Sequence, residues 1–150
     1  MVNLRRFVGM ISAIILSTPL NIMTLIFSSN TLLGITTVIS SYVALSLCGI
    51  FYDIILSKIR DSISSYGRFL AYTGIFWISV FPIQQYFIEI VICYVFEQPL
   101  TSFTLQYLIF GMIFGLGFGL LFSVVYVRLF TYVMLKGSEK GEKLKSKKRV

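Results

Sequence analysis

The chain has 150 residues, enough for one soluble domain, yet 57% are hydrophobic and only 13% charged, with a mean hydropathy of +0.87. That leaves too little polar surface to cover such a domain, so a bilayer is the expected solvent. The net charge of +7 does not make a folded basic face for nucleic acid, because 7 of the 13 Lys and Arg residues follow Leu135, in a tail suited to anionic lipid headgroups. Histidine is absent, and Cys48 and Cys93 lie in separate apolar stretches with no CxxC spacing. The commonest general base and metal ligand are thereby missing and neither a dithiol nor a zinc site is signalled, so the chain reads as a non-enzyme with no cofactor and no metal.

A crossing helix needs about 20 mainly apolar residues. Four stretches reach that length, which predicts an all-α integral membrane fold in a transmembrane domain over residues 1–135. The first runs over 7–27 and is expected to stay in the mature chain, since its apolar run exceeds that of a cleaved leader. Ser28, Ser29, Asn30 and Thr31 make a polar turn before the second stretch, 32–52, and a charged loop is predicted from Lys58 to Arg68. The third stretch, 69–96, is long for one crossing and contains Pro82, the expected bend point. A polar turn with Glu97, Gln98 and Pro99 leads to the fourth, 105–127, with Arg128 to Leu135 at the interface. Residues 136–150 carry seven basic and two acidic residues without apolar period, and are predicted to be a disordered tail.

Lysines and arginines set the orientation. Arg5 and Arg6 precede the first stretch, Lys58, Arg60 and Arg68 separate the second from the third, and Arg128 and the tail follow the fourth. All fall on one side of a four-span layout, which predicts a multi-pass cell-membrane protein with both termini in the cytoplasm. The halves also read as two weakly similar helical hairpins. Arg6-Phe7-Val8 is echoed by Arg68-Phe69-Leu70, and Pro19 with Asn21 by Pro82 with Gln84.

Polar groups within apolar stretches are the candidates for function. Asn21 and Gln84 are the deepest amides, Asn21 about 20 Å along its helix, and either bond another helix or line a polar path. Asp53 and Arg128 are expected at one depth, where they pair with each other or where Arg128 holds a lipid phosphate. Arg6, Arg68 and their basic neighbours surround that level. Glu89 is placed near the outer boundary. Gly111, Gly115, Gly117 and Gly119 give overlapping small-xxx-small patterns that let another helix approach closely, either the second helix of the same chain or a second protomer. Tyr66, Phe69 and Tyr72 at one end, and Tyr94, Phe96, Phe103 and Tyr107 at the other, are assigned to interfacial belts.

The entry Arg6-Phe7-Val8-Gly9, the second entry Arg68-Phe69 and the exit Tyr126-Val127-Arg128-Leu129-Phe130 resemble the GtrA-like family of small four-helix membrane proteins, across about residues 5 to 132. Tyr52-Asp53-Ile54 stands where that pattern has an arginine and an aromatic. The resemblance implies translocation of a polyprenyl-phosphate-linked sugar, or an accessory part in such a system beside a glycosyltransferase. Arg128 and its basic neighbours would then hold the phosphate, and Asn21 and Gln84 the sugar. Four helices enclose little room, so a homo-oligomer is expected. A structural or assembly subunit of a larger membrane complex and a holin-like pore former are the alternatives.

Overall fold

The computed structural model describes residues 7–59, 63, 65–97 and 105–147, with side chains to residue 134 in the last helix. It is all-helical over these residues: α1 is Val8–Phe27, α2 Thr31–Ile59, α3 Tyr66–Phe96 and α4 Leu105–Lys147. All four are long and apolar enough to cross a membrane, α4 over Leu105–Met134.

Local chemistry sets several helix ends. Asn30 Oδ1 accepts from the main-chain N–H groups of Leu32 and Leu33 at 2.9 and 3.3 Å, which satisfies two otherwise orphaned donors of the first turn of α2. Ser65 does the same for α3, its hydroxyl accepting from the Arg68 N–H. That cap starts α3 at Tyr66, so Tyr66, Gly67 and Arg68 are helical rather than part of the expected loop. At its far end α3 stops on Glu97 in a left-handed conformation, φ 52°, whose N–H bonds the Cys93 carbonyl.

Two helices outrun the apolar stretches that announce them. α2 continues seven residues beyond Tyr52 to Ile59, because Asp53, Ile55 and Leu56 turn toward neighbouring helices. α4 runs through Lys147, into the segment predicted to be disordered. Pro82 lies inside an unbroken α3.

The helices adjoin in the cyclic order α1, α2, α3, α4, with the most extensive faces between α3 and α4 and between α1 and α2. Helices apolar on every side have no single stripe to select a partner, so close approach at small residues decides the packing. A Cβ built on Gly9 would lie 2.4 Å from the Gly49 carbonyl oxygen, which marks backbone contact between α1 and α2. On α4, Gly111 meets Pro82, Gly115 meets Trp77 and Phe81, and Gly119 meets Trp77 and Thr73. The partner of that glycine pattern is therefore α3 of the same chain and not the expected second helix, because α3 is the helix that lies along α4 and sets Pro82, Trp77 and Thr73 against these glycines, while Gly117 faces open space.

Large rings fill the middle. Trp77, Tyr52 and Phe122 are fully buried, with Trp77 against Phe118 and Phe122 at 4.7 and 4.9 Å between ring centres. Tyr52 of α2 reaches edge-on to Phe76 of α3 and to Phe122 and Tyr126 of α4, at 5.2, 5.0 and 5.3 Å. One side chain thus ties three helices at the centre of the bundle.

Candidate functional site

Asp53 is the best-organised polar group. It is buried, and its carboxylate accepts from the Gly9 N–H at 2.7 Å and from the Tyr126 hydroxyl at 2.9 Å. Gly9 belongs to the first turn of α1, so the acid lies where N–H groups lack helical partners and the helix dipole is positive. Only glycines at 9 and 49 let the two backbones close enough for this bond. Gly49 and Asp53 are four residues apart, hence on one face of α2. A single carboxylate therefore joins α1, α2 and α4.

One residue earlier, Tyr52 bonds Thr73 of α3 at 2.7 Å. The Thr73 hydroxyl donates to the Phe69 carbonyl at 2.8 Å, so its proton is committed and Tyr52 is the donor. Adjacent residues of α2 thus hold all three other helices at one level.

A cavity of about 770 Å³ opens at this level. Phe7, Ile50, Ile54, Phe69, Val127 and Phe130 supply apolar wall, and Asp53, Ser57, Tyr126 and Thr131 supply oxygen atoms. A few polar groups converging on an apolar pocket of this size are the common form of a small-ligand site.

The sequence candidates divide around it. Asp53 lines the cavity, whereas Arg128 is exposed and forms no ion pair with Asp53. The expected Asp53–Arg128 pair is thus replaced by the Gly9 amide and the Tyr126 hydroxyl, because Tyr126 and not Arg128 is on the inward face of α4. Arg68 is exposed at the start of α3. Arg6 lies outside the described residues.

Asn21 and Gln84 are buried as expected. At 12 and 11 residues beyond Gly9 and Thr73, they lie roughly 17 Å from the Asp53 level, toward the opposite end. Gln84 Oε1 accepts from Gln85 Nε2 at 3.3 Å, but Asn21 Nδ2 and Gln84 Nε2 have no hydrogen-bond partner. The Trp77 indole nitrogen and the Ser12 hydroxyl are also buried without one. Glu89 is half-buried in α3.

Of the residues expected in aromatic belts, Tyr66 and Tyr94 are exposed, Phe69 and Tyr72 turn inward onto the core cluster, and Phe103 lies outside the described residues. Cys48 and Cys93 are half-buried thiols not joined in a disulfide. Sequence reasoning missed Ser57, Thr131 and Phe130 as cavity lining and the role of Gly9 as donor. The Gly49-x-x-x-Asp53 spacing was the available signal, since a glycine one turn from an acid marks a face where another backbone approaches. No family model, no curated protein and no solved structure matches the chain.

Proposed function

We propose that the chain is a multi-pass membrane protein that carries, or helps to carry, the polar head of a polyprenyl-phosphate-linked sugar across the cell membrane. The observation that supports this reading best is the cavity beside Asp53, apolar over most of its wall with four oxygen-bearing side chains converging in it. Carboxylate and hydroxyl groups suit the donor and acceptor pattern of a sugar. Exposed Lys58, Arg68 and Arg128 at the same end of the bundle suit the phosphate, and the exposed apolar helix faces suit the prenyl chain. The Gly9-containing entry and the Tyr126-to-Phe130 exit are the residues of the GtrA-like resemblance, and both border the cavity.

On this reading the Asp53 end is cytoplasmic, both termini lie on that side, and the helical hairpins α1–α2 and α3–α4 form a parallel pair. Asn21 and Gln84, with free N–H donors farther along the interior, offer hydrogen bonds to a head group on its way across. Their desolvation costs about 1–3 kcal/mol each when unmet, which a passing acceptor offsets.

The test is a translocation assay in proteoliposomes with a fluorescent polyprenyl-phosphate sugar. Arg128→Gln and Asn21→Leu are expected to slow flipping at least about tenfold, the loss of roughly 1.4 kcal/mol of interaction, with little change from deleting residues 137–150. Under an assembly role the deletion has the larger effect and the substitutions little. In cells, an impermeant thiol reagent should label a cysteine at Ser29, in the outer turn, and spare one at Ser57; the reverse pattern removes the orientation.

A further inference from the structure

We propose that the head group held beside Asp53 carries a positively charged amine. The inference rests on reading the cavity as the head-group site, and names the class of head. Asp53 is the one charged residue among the cavity's described lining. Its bonds from Gly9 and Tyr126 use one acceptor site on each oxygen, and a carboxylate offers about four. Acceptor capacity is therefore left for a ligand.

The surrounding rings fit the same charge. Phe7, Phe69, Tyr126 and Phe130 line the cavity. Phe69 lies 6.0 Å from Tyr126, and Tyr126 stacks on Phe130 at 6.1 Å, so three of them form one continuous wall. A carboxylate with several aromatic rings is the chemistry that holds an ammonium group, whose charge is attracted by ring faces.

The basic residues follow a complementary pattern. Lys58, Arg68 and Arg128 each stand next in sequence to a lining residue, Ser57, Phe69 and Val127, yet all three are exposed and none lines the cavity. Negative charge is thus inside and positive charge around the rim, an arrangement that matches a phosphate outside and an ammonium within. Amino sugars on a phosphate carrier and choline phospholipid heads share that chemistry.

The experiment uses the full chain in a neutral detergent without sugar, with its thermal unfolding followed while glucosamine, N-acetylglucosamine or choline is added. A ligand that binds only the folded state raises the midpoint. Glucosamine is expected to act at concentrations at least about tenfold below N-acetylglucosamine, the factor that one cation–aromatic contact supplies. Asp53→Asn should shrink the difference to what the rings alone supply while keeping the fold, since an amide still accepts from Gly9 and can pair with Tyr126; Phe130→Leu should weaken it with Asp53 intact. Glucosamine acting without choline assigns an amino sugar, and choline acting without glucosamine a phospholipid head; both retain the ammonium. Equal action of glucosamine and its N-acetyl form, or no effect of either cation, overturns the proposal. Ammonium binding without flipping in proteoliposomes removes the translocation reading and leaves this site standing.

Discussion

Replacing Gly115 by alanine is the sharpest test of the α3–α4 packing. The added Cβ would lie 2.4 Å from the Trp77 carbonyl oxygen and 2.9 Å from Phe81 Cβ, where ordinary contact begins near 3.4 Å. A backbone carbonyl within α3 cannot rotate away without breaking its helix, so the two axes must separate by about 1 Å at this point. A gap of that order forfeits a quarter to a half of the dispersion energy of each contact across it, and forced overpacking costs about 1–3 kcal/mol. Alanine returns about 1 kcal/mol of helix propensity. The net expectation is a loss of up to roughly 2 kcal/mol. Gly117, two residues on, has no atom within 4 Å of a built Cβ, so Gly117→Ala keeps only the propensity gain. Equilibrium unfolding in mixed micelles measures both, followed by the fluorescence of Trp77, the only tryptophan in the chain and itself part of the contact. Equal stabilities for the two variants, or a more stable Gly115→Ala, would refute the reasoning.

Gly49→Ala places a Cβ 2.6 Å from the Gly9 backbone and should cost about 1–3 kcal/mol, with faster hydrogen exchange at the Gly9 amide as α1 moves off Asp53. Tyr126→Phe removes a hydrogen bond to a carboxylate and is expected to lower stability by about 1.5–3 kcal/mol. Tyr52→Phe, which loses a neutral bond to Thr73, should cost about 1 kcal/mol in the same denaturation assay. Asn21→Leu removes a buried donor that has no partner and should be neutral or stabilising by up to about 1 kcal/mol; Gln84→Met also gives up the long 3.3 Å bond from Gln85, so it should be closer to neutral. A marked drop in stability for either would mean that its amide is already satisfied in the folded bundle.

Four long apolar runs and the polar breaks at Ser28–Thr31 and around Glu97 were legible without a structure, because helix length and hydropathy are local properties of the chain. The burial of Asn21 and Gln84 followed from the same lengths. The ends of α2 and α4 did not, since continuation past Tyr52 depends on what Asp53, Ile55 and Leu56 touch, and hydropathy carries no such information. The glycine pattern announced close approach, but only the tertiary packing chose α3 as its partner, because every face of these helices is apolar. The Asp53–Arg128 pair failed for a related reason. Equal depth along two helices says nothing about azimuth, and the turn of α4 brings Tyr126 to the carboxylate and leaves Arg128 outside. Sequence thus fixed how far along each helix a side chain stands, while rotation about the axes, set by backbone contact at Gly9, Gly49 and Gly115, decided which side chains meet.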